Sequence, residues 1–257
     1  MSTADQLPAW AHLNVPGAPP ANYSRNFIKQ AVCELRFPTL YELEGARPPV
    51  SFAQALRKEY PIQDLMETVS IGGGGAPSRA NVHAFRSKRQ RWTVTLGASS
   101  VKLETAHYGA FDEFKERLAL VVKAATPIID SDFFTRVGLR YINVLPYTRT
   151  EVDKWINPSL VGALAAGIYG EVNEHNGRVI GSTPFGGYLL QHGIVIDGKS
   201  IPTEYSLDFD LFSEYVQLNE ALDTVQKLHD AEFSLFQWAI GPAAKSFLGP
   251  SNHVGSK

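Results

Sequence analysis

From Phe27 to Phe37 the chain alternates, with Cys33, Leu35 and Phe37 on one side, Glu34 and Arg36 on the other, and Pro38 after it. A period of two predicts a half-buried strand. Phe52 to Tyr60 reads as a short helix with Ser51 as its cap and Pro61 as its stop. Three runs at hairpin spacing, Arg79–Phe85, Trp92–Leu96 and Val101–Thr105, predict an antiparallel meander. Ala110 to Ala125 switches to helical spacing, with Phe111, Phe114, Leu118, Val121 and Val122 on one stripe.

The same order then returns. A strand is expected over Phe134–Leu145, a short helix over Ser159–Ala166, and strands over Arg178–Ser182, Tyr188–Ile196 and Glu204–Phe212. A closing helix is expected over Val216–Ile240, burying Leu218, Leu222, Val225, His229, Phe233, Phe236 and Ile240. Two landmarks keep one register: Leu35-Arg36-Phe37 answers Leu139-Arg140-Tyr141 (139 minus 35 is 104), and Leu103-Glu104 answers Leu207-Asp208 (207 minus 103 is 104). That register points to an internal duplication.

The expected fold is therefore α+β: a duplicated β-α-β-β-β-α unit whose antiparallel sheet has one face covered by helices. Residues 1–22, rich in proline, form an extended arm; residues 23–248 form a single domain of two repeats, about 26–126 and 130–240; residues 249–257 are a tail. The apolar parity of the strands, Cys33, Leu35, Val101, Leu103, Val137, Leu139, Leu207 and Phe209 among it, faces the helices. The opposite parity gathers Glu34, Arg36, Lys102, Glu104, Arg136, Arg140, Ser206, Asp208 and Asp210 on a polar face.

Composition narrows the function. With 257 residues, 44% of them hydrophobic, the chain has enough material for a core without disulfides. A net charge of -2, from 24 basic and 26 acidic residues, supplies no global field toward nucleic acid or anionic lipid. One cysteine, Cys33, cannot form an internal disulfide and has inward parity, no secretory leader pattern opens the chain, and no window is apolar enough to span a membrane. A cytoplasmic protein is expected, without cofactor, whose partner is a protein or a small anionic ligand; the oligomeric state is left open.

The chemistry of the polar face rests on Arg36, Arg136 and Arg140, because a guanidinium fork matches carboxylate or phosphate. The bland alternative is cross-strand pairing with Glu34, Glu104 or Asp208. Glu204, Asp208 and Asp210 share one strand face, so an alternative reading is a metal-dependent phosphohydrolase that uses them for a magnesium-like ion. A second alternative, nucleic-acid binding, would use the basic tip Arg86–Arg91. No nucleophile elbow, zincin helix or dinucleotide fingerprint occurs, and Gly72-Gly73-Gly74-Gly75 lacks the lysine and helix of a phosphate loop. The leading expectation is a non-enzymatic binding or adaptor protein. His229 is expected as a hydrogen-bonded core residue, and Asn143 as a polar group that satisfies buried backbone.

Ala31-Val32-Cys33-Glu34-Leu35-Arg36-Phe37-Pro38, Tyr60-Pro61 and above all Arg136-Val137-Gly138-Leu139-Arg140-Tyr141-Ile142-Asn143 resemble a sporadically distributed prokaryotic family of chains of about this length, over Asn26 to Phe247. The resemblance implies a bacterial protein in an accessory or defence role and brings no activity with it. The duplicated plan is also similar to that of the TATA-binding protein, a likeness of fold that fixes no function. The carboxylates among the arginines disfavour a duplex-binding saddle.

Overall fold

The computed structural model describes residues 13, 15–19, 21, 23–70, 78–183, 186–196 and 202–249. The glycine run 72–75 lies outside them, as do most of the arm and the tail from 250 onward. The protein is mixed α+β. In chain order its elements are β1 (Ile28–Arg36), α1 (Val50–Leu56), β2 (Ile62–Ser70), β3 (Ser78–Arg86), β4 (Trp92–Gly97), β5 (Ser100–Thr105), α2 (Phe111–Ala125), β6 (Phe133–Pro146), α3 (Val152–Trp155), α4 (Pro158–Ala165), β7 (Asn176–Thr183), β8 (Gly186–Ile194), β9 (Glu204–Gln217), α5 (Ala221–Ala239) and α6 (Pro242–Leu248). Hydrogen-bonded neighbours give a nine-stranded sheet in the order β2-β3-β4-β5-β1-β6-β9-β8-β7. Among the described residues no helix is long and apolar enough to cross a membrane.

The chain divides into two compact units, one of residues 1–29, 140–211 and 226–257, the other of residues 30–139 and 212–225. In the second of these, β1 and β5 pair antiparallel with Glu34 opposite Lys102 and Leu35 opposite Val101. Period-two alternation then puts Cys33, Leu35, Val101 and Leu103 on the buried side. There α2 lays down its stripe of Phe111, Phe114, Leu118, Val121 and Val122, all buried, and the Phe114 ring lies 5.7 Å from that of Trp92. Cys33, the single cysteine of the chain, is buried.

Sequence reasoning missed β2, which follows α1 and pairs with β3 along its whole length. An edge strand leaves both faces partly in water, with Leu65 and Met66 exposed here, so it shows no clean alternation to read. The four-strand run β2 to β5 replaces the three strands expected. Helix α1 starts at Val50 with Pro49 at its cap, so Ser51 is a first-turn residue and not the cap; the Pro49 carbonyl already accepts the Ala53 amide at 3.0 Å.

In the other unit, β7 and β8 form a hairpin in which the His192 ring covers Gly177 and the Tyr188 ring covers Gly181. Asn157 caps α4, its side chain accepting the Ser159 amide at 2.9 Å. In the closing helix the stripe differs from the expected one. The buried positions of α5 are Ala221, Val225, Leu228, Glu232, Leu235 and Ala239, a regular four-three spacing. Leu222, His229, Phe233 and Phe236 are only half-buried. The neighbouring face that carries them is covered by the N-terminal segment: Tyr23 stacks on Phe233, Phe27 meets Phe236, and the Ala18 amide donates to Ser234 Oγ at 3.1 Å. Strand β9 runs five residues past its expected end. Its buried positions shift from odd (Leu211) to even (Val216) around Tyr215, which has φ 54. That slip breaks the alternation on which sequence reading depends.

Candidate functional site

Glu34 is the centre of the polar face in the unit formed by residues 30–139 and 212–225. Its neighbours in the ladder put it in register with Lys102, and strand parity puts it beside Arg36 two residues along. One carboxylate oxygen, Glu34 Oε2, accepts from Arg36 Nε at 2.7 Å and from Arg136 Nη1 at 3.2 Å. Lys102, which faces Glu34 across the ladder, turns instead to Glu104 at 3.1 Å. Arg36 and Arg136 thus share the Glu34 carboxylate, while Lys102 pairs with Glu104.

The two arginines held by Glu34 differ in exposure. The Arg136 side chain is only 16% exposed: its guanidinium lies 4.5 Å over the Phe212 ring and against the bare Cα of Gly138. The Arg36 side chain is 53% exposed and is engaged through Nε. Gly138 is needed by this packing, since a Cβ there would run into the Arg136 guanidinium. Gly138→Ala is expected to cost about 1–2 kcal/mol, part of the worth of the cation-π contact and the charged hydrogen bond, because the guanidinium ends a flexible side chain and can shift. In an Arg136→Met background the same change should be close to neutral, and urea unfolding of the four proteins measures the coupling.

Arg140 lies in the other unit and makes a two-pronged pair with Asp208, Nε to Oδ1 at 2.8 Å and Nη2 to Oδ2 at 2.6 Å. The hydrogen bond to Asp208 raises the Arg140 pKa against the opposing effect of burial, and Asp208 and Asp210 add attraction. Its fork is therefore filled from within the chain. On the far side of this unit's strands, Tyr141 Oη lies 3.1 Å from His229 Nδ1, and Asn143 Nδ2 donates to the Leu207 carbonyl at 3.4 Å.

Glu204, Asp208 and Asp210 do alternate along β9. Yet Glu204 and Asp208 stand four residues apart, about 13 Å along a strand, and Asp208 is taken by Arg140. Among the described residues no group of three His, Cys, Asp or Glu side chains is placed to hold a metal ion. At the basic tip, Arg86 pairs with Asp64, while Lys88, Arg89 and Arg91 are exposed. The turn itself is closed by Ser87, whose amide donates to the Trp92 carbonyl at 3.0 Å and whose Oγ accepts the Trp92 amide at 3.2 Å.

Two features had no sequence signal. Tyr205 Oη sits 2.6 Å from His192 Nδ1 and 3.4 Å from His175 Nδ1, with Tyr147 stacked on the tyrosine. Burial lowers the pKa of both histidines and raises that of Tyr205, so it favours the neutral form of all three groups. The other is Phe212, whose ring bears on Arg136 and which reads in sequence as one more apolar strand residue.

No protein-family model matches the chain, and no curated protein matches it.

Proposed function

We propose that the chain is a binding protein, not a catalyst, and that it grips a carboxylate or phosphate group on a small ligand or a partner segment through Arg36. The observation that carries this reading is the pairing of two hydrogen bonds at Glu34 Oε2, accepted from Arg36 Nε and Arg136 Nη1. It fixes Arg36 by Nε and leaves the two terminal nitrogens of the fork for an incoming anion. A guanidinium already held in place loses less freedom on binding. Arg136, locked under Phe212, holds Glu34 from the other side and acts as the positioning residue.

We also propose that the two halves are diverged copies, about residues 26–126 and 130–240. Support comes from the offset of 104 and from the strand order: outward from β1 run β5, β4 and β3, and outward from β6 run β9, β8 and β7. These copies cut the chain differently from the two compact units. In the second copy Arg140 found a full partner in Asp208, the counterpart of Glu104; in the first, Glu104 went to Lys102, which leaves Arg36 with the more open fork. Such a site suits an adaptor in a bacterial accessory or defence role.

Calorimetric titration with pyrophosphate and with a short polyglutamate peptide tests the anion site. At least one should bind, and Arg36→Gln should weaken it about tenfold or more, the worth of a charge-assisted hydrogen bond. Arg140→Gln should matter less. No binding by either probe, or equal binding by wild type and Arg36→Gln, would overturn the reading.

A further inference from the structure

Apart from the arginine face, the unit that contains α5 and α6 has a pocket of about 520 Å³ where the end of α5, the start of α6 and the Asn157-Pro158 corner meet residues Pro16 to Pro19 of the N-terminal segment. Its walls are Trp238, Ile240 and four prolines, flat and rigid surfaces that lose little freedom when a ring is laid on them. The volume is that of an ordinary small-molecule site, which combines an apolar wall with a few polar groups. Three polar side chains line it, and Asn157 is already engaged, its Nδ2 donating to the Trp238 carbonyl at 2.7 Å and its Oδ1 accepting the Ser159 amide at 2.9 Å, which leaves two for an occupant. Gln237 belongs to the lining, and its amide nitrogen is buried with no hydrogen-bond acceptor among the described residues. Lys245, one turn into α6, is exposed and contributes a cation. A buried donor without an acceptor costs about 1–3 kcal/mol, so an occupant that supplies the acceptor relieves a standing penalty.

We infer that this pocket binds a small aryl carboxylate, its ring against Trp238 and its carboxylate between the Gln237 amide and the Lys245 ammonium. The pairing follows from chemistry: Gln237 Nε2 is a donor without an acceptor among the described residues, Lys245 is a charged donor, Asn157 is engaged within the chain, and most of the remaining wall is apolar. The wall contributed by residues 16–19 is held on α5 by the bond from the Ala18 amide to Ser234 Oγ, and Ser234 in turn donates to the Asp230 carbonyl at 2.9 Å. Opening that wall should release the ligand without touching either polar group.

Naphthoate, indole acetate and the neutral naphthyl methanol serve as probes in isothermal titration of the full chain. One naphthoate or indole acetate should bind per chain, and the neutral alcohol should bind about tenfold more weakly, the value of a charge-assisted bond. Lys245→Met, a change at an exposed position, should remove that discrimination while leaving the unfolding midpoint unchanged. Ser234→Ala should weaken all three probes together. No saturable binding of either carboxylate below millimolar concentration, or binding of acid and alcohol that is equally tight in the wild type, or discrimination that survives Lys245→Met, would overturn the assignment. Arg36→Gln should leave this binding intact, so failure here and failure of the arginine site are separable.

Discussion

Gly241→Ala is expected to destabilise the protein by about 3 kcal/mol, the upper part of the range for overpacking a rigid site. Gly241 has ordinary extended backbone, φ -85 and ψ 177, so no torsional strain is involved. The cost is steric. A Cβ at this position would run into the backbone carbonyls of Lys154 and Asp153 at the end of α3. Backbone cannot swing aside as the end of a side chain can. The segments on either side are already tied together: the Gly241 amide donates to the Trp155 carbonyl at 2.8 Å, Ile156 and Ile240 form an antiparallel bridge, and the Asn157 amide donates to the Ala239 carbonyl at 2.8 Å. Pushing them apart loses these bonds in a place where water is excluded. Gly162 in α4 is the control, because nothing lies within 4 Å of its would-be Cβ; Gly162→Ala should stabilise by about 0.5–1 kcal/mol through helix propensity. Urea unfolding of both variants checks the contrast.

Glu232→Gln is expected to flatten the dependence of stability on pH. Glu232 occupies a core position of α5, fully buried, with one oxygen accepting the Leu211 amide at 3.1 Å and the other without a partner among the described residues. Burial raises its pKa well above the ordinary 4.5; the Leu211 bond opposes this, and the carboxylates of Asp210 and Asp208 reinforce it. The sign follows from proton linkage. Below 4.5 folded and unfolded chains both carry the proton and Glu232 costs nothing. As pH rises past that value the unfolded chain releases its proton first, so wild-type stability falls until the folded-state value is passed. Glutamine keeps an acceptor for Leu211 and cannot ionise. Wild type should therefore lose stability to alkali that Glu232→Gln retains, and denaturation curves from acid to alkaline pH measure the difference. Parallel curves for the two proteins would mean that the carboxyl is not buried as described.

Most of the fold was legible where one face of an element is buried and the other wet. Cys33, Leu35, Val101 and Leu103 could be assigned by parity alone, and α2 by its stripe, because water and core impose the period. Legibility failed where a second surface intervened. Strand β2 is an edge and shows no period. Helix α5 has two covered faces, the buried one on which Glu232 meets Leu211 of β9 and one under Tyr23 and Phe27, and hydrophobicity followed the second because Glu232 interrupts the first. A carboxylate in a four-three stripe of apolar residues was the available signal, and it reads as polar surface until the spacing is counted.

The arginines of the candidate site were legible as residue types and their partners were not. Parity put Glu34, Arg36 and Arg136 on one face, but whether a guanidinium is filled or open depends on which carboxylate wins among several within reach. Lys102 turning to Glu104 decides it for Arg36, and Asp208 decides it for Arg140. The bed that Gly138 and Phe212 make for Arg136 depends on two side chains distant in sequence, and neither carries a motif.

Native mass spectrometry of the protein purified gently from its own host, wild type beside Arg36→Gln, tests the anion-binding claim most directly. The account predicts a stoichiometric small anion or acidic partner chain on the wild type that is lost from the Arg36→Gln protein, whose fold and unfolding midpoint are unchanged. A co-purifying species that stays equally bound to Arg36→Gln, or a wild-type protein that carries nothing, would contradict it.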